Sequence, residues 1–172
     1  MTTGESGLAI SGDGTLLRSV ATGPLGIAVS SDNGVTWERR VLPDGATAGI
    51  ADGYLDPVTD RYFYSGMGNT PVYGSDDHGA TWQTGTFDSP DRMDWNRVFS
   101  GVPVAPRTEG YPTNIYYCNW TTGGGFNSFT RCYKSVDGGR GFATTGPNPY
   151  RPEDCTDLTQ TPGVGHGRGI VD

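Results

Sequence analysis

Three octapeptides of one pattern punctuate this chain: Ser30-Ser31-Asp32-Asn33-Gly34-Val35-Thr36-Trp37, Ser75-Asp76-Asp77-His78-Gly79-Ala80-Thr81-Trp82 and Ser135-Val136-Asp137-Gly138-Gly139-Arg140-Gly141-Phe142. All read S-x-D-x-G-x-x-aromatic, and the first two end in Thr-Trp. A pattern that returns at intervals of tens of residues marks an array of like structural units. Its local chemistry fits a tight turn between antiparallel strands. The carboxylates of Asp32, Asp77 and Asp137 are placed to accept hydrogen bonds from turn amides. Gly34, Gly79 and Gly139 supply the positive φ that a Cβ would penalise. Thr36 and Thr81 are β-branched and suit the start of an outgoing strand. Trp37 and Trp82 each carry about 150–250 Å² of surface for packing between neighbouring sheets.

Reading outward from each octapeptide gives four short strands per unit. The first unit, about residues 7–42, holds Leu8–Ile10, Leu16–Val20, Gly26–Val29 and Thr36–Leu42, with Ser11-Gly12-Asp13-Gly14 as its first turn. The second, about 48–87, holds Gly49–Leu55, Arg61–Ser65, Val72–Gly74 and Thr81–Phe87, with a turn over Asp56–Asp60. The third, about 94–145, holds Trp95–Val98, Asn114–Cys118, Thr130–Lys134 and Phe142–Thr144, lengthened by inserts over 101–111 and 121–127. Gly169-Ile170-Val171 reads as the first strand of a fourth unit over 163–172. With 28 Gly, 12 Pro and no sustained helical spacing of apolar residues, the expected class is all-β.

The octapeptides resemble the Asp-box, or BNR, repeats of the sialidase-like β-propellers, which also occur in other glycoside hydrolases and in non-enzymatic propellers. The first two match S-x-D-x-G-x-T-W in full. The third keeps Ser135, Asp137 and Gly139 but closes on Gly141-Phe142. The resemblance implies blades of four antiparallel strands, with each box in the peripheral hairpin between the third and fourth strands. It also implies one partial propeller over residues 1–172: three blades and the first strand of a fourth, about half of a six-bladed ring. A ring closes with roughly 4–8 blades, so open faces and strand edges remain. The expectation is a fragment of a longer protein; the alternative is two copies that complete a ring. The open blade faces are surfaces for self-association in this reading.

In such a fold the first strand of each blade borders a central channel. That singles out Asp52, then Asp94 with Arg97, then His166 with Arg168. Asp52 and Asp94 are the candidates for acid/base catalysis, and Arg97, His166 and Arg168 for holding an anionic sugar, Arg as a bidentate clamp on a carboxylate. The plainer alternative is that the arginines pair with nearby aspartates and Asp52 caps a turn. Likeness to sialidases implies three arginines, an acid/base Asp and a Tyr nucleophile activated by Glu. It also implies an F/Y-R-I-P segment ahead of the first box. Here the nearby arginine is Arg18, in Leu16-Leu17-Arg18-Ser19, and that departure counts against sialidase activity in this chain. Tyr111, Tyr116 and Tyr117 read as packing residues. Two functions therefore stand side by side. One is an extracellular glycan-processing or glycan-binding protein, exo-sialidase-like if enzymatic, with its catalytic set incomplete here. The other is a non-catalytic propeller that serves as a protein-protein interaction scaffold.

Charge narrows the partners. Twelve Lys and Arg stand against 19 Asp and Glu, a formal net charge of −7. A polyanion needs a basic face to displace its counterions, so nucleic acid is excluded as a partner. No apolar run is long enough to be a membrane helix, and Met1-Thr2-Thr3-Gly4-Glu5 lacks the character of a signal peptide. If the strands bearing Cys118 and Cys132 are antiparallel neighbours, a disulfide is within reach, worth roughly 3 kcal/mol for a loop of about 15 residues. A disulfide implies a secreted protein, and the alternative is three free thiols, with Cys155 left over either way. His78 and His166 do not make a zinc site by spacing, and no metal or cofactor is expected.

Overall fold

A computed structural model describes residues 7–43, 45, 52–66, 70–88, 94–101, 110–121 and 129–145. The strand expected over 163–172 lies outside them, as does Cys155. The regular elements are strands, with no helix among the described residues. In order they are β1 (Leu8–Ile10), β2 (Leu16–Val20), β3 (Gly26–Ser30), β4 (Glu38–Val41), β5 (Asp52–Leu55), β6 (Tyr62–Ser65), β7 (Val72–Ser75), β8 (Gln83–Thr84), β9 (Thr86–Phe87), β10 (Asp94–Ser100), β11 (Ile115–Thr121), β12 (Phe129–Ser135) and β13 (Gly141–Thr144).

These strands form three sheets in chain order. Sheet 1 is β1-β2-β3-β4, sheet 2 is β5-β6-β7-β8, and sheet 3 is β10-β11-β12-β13 with β9 added at its outer edge. All neighbours pair antiparallel except β9 and β13, which are parallel. The octapeptides sit in the β3–β4, β7–β8 and β12–β13 connections, as a turn-forming pattern requires.

Alternation along the strands decides which face of each sheet meets a neighbour. Leu17, Ile27 and Val29 of sheet 1 pack with Tyr62, Tyr64 and Tyr73 of sheet 2 in one buried cluster. The opposite face of sheet 2 gives Phe63 and Val72 to a second cluster, with Val98, Ile115, Tyr117 and Tyr133 of sheet 3. Each fully buried side chain of this kind contributes about 1.5–3 kcal/mol. The sheets are thus layered 1-2-3, and β5 lies beside β1 on one side and β10 on the other.

Two sequence expectations are corrected. The single strand expected over Thr81–Phe87 breaks at Gly85 into β8 and β9. The Gly85 amide closes sheet 2 by donating to the Val72 carbonyl at 2.7 Å. A Cβ at Gly85 would lie 2.5 Å from the Gly139 carbonyl oxygen, so only glycine lets the chain cross to sheet 3 there. The second correction concerns Trp37, expected between sheets. Its counterpart Trp82 packs on the first cluster, and Phe142 is 3% exposed in the second, but Trp37 is 44% exposed.

Candidate functional site

The octapeptides are three copies of one latch. In the first, the Ser30 hydroxyl donates to Asp32 at 2.7 Å and accepts from the Gly34 amide at 2.8 Å. Asp32 in turn accepts from the Thr36 amide at 2.9 Å and the Thr36 hydroxyl at 2.5 Å. Ser75, Asp77, Gly79 and Thr81 repeat these bonds. In the third copy, Asp137 accepts from Ser135 and from the amides of Arg140 and Gly141, so no threonine hydroxyl is needed. Each turn has two successive residues at positive φ: Asn33 and Gly34, His78 and Gly79, Gly138 and Gly139. The pattern S-x-D-x-G announces only the second of them.

These bonds are electrostatic as well as structural. The Thr36 hydroxyl, then its amide and the Ser30 hydroxyl, lower the Asp32 carboxyl to about 2. For Asp77, burial pushes the other way, but hydrogen bonds from Thr81 and Ser75 outweigh it and hold the carboxyl below its ordinary value. Asp137 behaves likewise, with Ser135 and two turn amides opposing burial. All three carboxylates are occupied by their own turns.

Asp52, Asp94 and Arg97 lie on the first strands of sheets 2 and 3, at the opposite edge from the octapeptides. Asp52 pairs with Ser65, and Arg97 with Cys118, at equivalent register positions of β5 and β10. Because β5 and β10 are adjacent, the sequence places an acid and a base on neighbouring first strands. The Arg97 guanidinium donates to the Asn96 carbonyl at 2.8 Å. Asp94 opens β10 opposite Trp120, beyond a register shift. His166 and Arg168 lie outside the described residues.

Two groups that the sequence did not mark flank β5, one at each end. The Tyr62 phenol is buried and its pKa is raised, by burial first and then by the Asp52 charge, so it stays protonated. A Cβ at Gly53 would lie 1.9 Å from that hydroxyl, so the glycine is the space the phenol occupies. At the other end of β5, Asp56 is fully buried and joins sheets 2 and 3. It accepts from the hydroxyls of Tyr111 (2.8 Å), Thr113 (2.9 Å), Thr59 (2.9 Å) and Ser100 (3.1 Å) and from the Val58 amide (3.2 Å). Five donors saturate a carboxylate, which makes Asp56 a pin rather than a reagent. The signal was present in Asp56-Pro57-Val58-Thr59, a turn pattern, but its remote donors were not. Tyr111 does more than pack, because its hydroxyl serves that pin.

Cys118 and Cys132 face each other across β11 and β12 and are joined by a disulfide. Asn119, which opens an N-x-T sequence, is 2% exposed. A shallow depression at the rim is lined by Thr86, Phe87, Lys134, Phe142 and Thr144, away from the first strands. No protein-family model matches the chain, and no curated protein matches it.

Proposed function

We propose that the chain is part of an Asp-box β-propeller of the sialidase-like kind, about three blades of an extracellular protein that binds or processes glycans. One observation carries this reading: a single turn latch recurs between the last two strands of three successive, layered antiparallel sheets. In this reading β1, β5 and β10 are the channel-side strands. Arg97 clamps the carboxylate of an anionic sugar, Asp52 and Asp94 handle its protons, and His166 and Arg168 serve as further ligand-binding residues. If the protein is an enzyme, its class is an exo-acting glycoside hydrolase whose catalytic set is incomplete in this chain.

Titrating N-acetylneuraminic acid into the isotope-labelled chain tests this, beside an assay with a fluorogenic sialoside. Saturable shifts at Asp52 and Arg97 without turnover are the expected result. The absence of both shifts and turnover would remove the glycan reading. The second reading, a non-catalytic interaction scaffold, is favoured by the exposed Val35, Trp37 and Val41 along the outer rim of sheet 1.

A further inference from the structure

Where one sheet faces the next, the same backbone carbonyl is held in two different ways. Ser19 lies opposite Ile27 and Ser65 opposite Val72, each at the same interval before an octapeptide. The carbonyls that follow, of Val20 and Gly66, are therefore equivalents in sheets 1 and 2. Each accepts from the next sheet. The Val20 carbonyl takes the Tyr64 hydroxyl at 3.1 Å, from β6, the second strand of sheet 2. The Gly66 carbonyl instead takes the side-chain amide of Asn96, from β10, the first strand of sheet 3. The tie has moved to the strand that carries Arg97.

Asn96 sits where β10 is irregular. Asp94 is opposite Trp120 and Arg97 opposite Cys118, so β10 takes one residue more than β11 over this stretch. A bulge of this kind re-aims the side chain beside it. Here the bulge is fastened on both sides of Asn96. Its side-chain nitrogen bonds sheet 2, and its own carbonyl accepts from the Arg97 guanidinium at 2.8 Å. At the far end of β10, Ser100 Oγ bonds the Tyr54 hydroxyl at 2.6 Å and the Asp56 carboxylate at 3.1 Å. Arg97 lies between these two anchors on sheet 2.

Asn96 is also a destabilising choice for its surroundings. It is 5% exposed, and its Oδ1 makes no hydrogen bond. A buried acceptor left unpaired lowers stability, so packing alone does not account for an amide there. Local rules broken in this way mark residues kept for what they position. What Asn96 positions follows from the register. Ser65, the residue before Gly66, is the cross-strand partner of Asp52. The amide thus fastens the strand of Arg97 to the end of sheet 2 that carries Asp52.

We propose that Asn96 is a positioning residue. Its side-chain amide holds the β10 bulge against sheet 2, and so fixes the direction of the Arg97 guanidinium and its spacing from Asp52. This rests on the reading of Arg97 as a carboxylate clamp. Asn96 acts through Arg97 and not on the sugar.

The test uses the full chain, labelled for amide and guanidinium resonances, with N-acetylneuraminic acid as the probe. Asn96→Ala is compared with Val98→Ala, which trims the same strand where it packs on sheet 2 and leaves the amide tie in place. In the ligand-free protein, relaxation of the Arg97 Nε–H signal should show the guanidinium loosened by Asn96→Ala and unchanged by Val98→Ala. Affinity for the acid should fall about tenfold in the first variant and stay within about twofold in the second. Asn96→Asp, which keeps the shape and loses the donor, takes the place of the alanine variant if that one does not fold. Three results would overturn the proposal. They are an Arg97 signal unchanged by loss of the amide, equal loosening in Val98→Ala, or a loosened guanidinium with undiminished affinity. If the unaltered chain does not bind the acid, the glycan reading falls, and the Arg97 signal alone decides the role of Asn96.

Discussion

The first and second octapeptides share the same serine, aspartate and threonine bonds, yet their tryptophans live in different surroundings. Trp82 stands edge-on to Tyr62, Tyr64 and Tyr73, with ring centroids near 6.5 Å, and packs on the cluster shared with sheet 1. Trp37 bonds its indole N–H to the Gly34 carbonyl within its own turn and faces outward. The latch is therefore local, written in eight residues, while burial of the aromatic is supplied by the sheet before it. The second octapeptide rests on sheet 1 through Gly79 and Ile27, and the third on sheet 2 through Gly139 and Phe63. For the first octapeptide the described residues hold no such neighbour.

That contrast can be broken by experiment. The largest effect is expected at the tryptophans. Trp82→Ala should lower unfolding free energy by about 3 kcal/mol in urea titrations, and Trp37→Ala by about 0.5 kcal/mol or less. Equal losses would mean that Trp37 is buried in solution. The glycines come next. Gly34→Ala meets only the positive φ, because the nearest atom to the new Cβ is 3.6 Å away, and about 1 kcal/mol is expected. Gly79→Ala also drives a Cβ to 2.6 Å from Ile27 Cδ1, so about 2–3 kcal/mol is expected from the same titration.

The smallest effect sharpens the local half of the comparison. Asp32, Asp77 and Asp137 all have folded-state carboxyl values below ordinary ones. A depressed value gives stability that is present above the unfolded value, about 3.9, and lost as pH falls through the folded one. The melting temperature should therefore drop between about pH 4 and about pH 2. Asp32→Asn and Asp77→Asn should each flatten that acid limb, since both carboxylates are held by their own turns. A limb unchanged in either variant would show that this carboxylate's turn bonds do not set the response.

Strand positions were legible in the sequence because turn chemistry and alternation act within a few residues. Leu8–Ile10 and Leu16–Val20 are strands with the expected bounds, and the second and third units differ mainly at strand ends. What escaped depends on residues far apart in the chain. Nothing near Phe87 says that it crosses to pair with Gly141–Thr144, and nothing near Asp56 names Tyr111 or Thr113. The exposure of Trp37 was illegible for the same reason, since its motif is that of Trp82. Of the candidate site, the sequence put Asp52 and Arg97 on neighbouring strands at matching positions, but the Tyr62 phenol beside Asp52 follows from packing alone.

The Cys118–Cys132 bond has a consequence in covalent topology. It ties β11 to β12 around the segment that connects them. A protease that cut the chain between Thr121 and Phe129 would leave two polypeptides but one molecule, still bearing β11 against β12. Such a nick would be invisible on a gel run without reductant, and the two pieces would part only when thiol was added. The longest ladder among the described residues is thus insured against a cut in the segment that connects its strands.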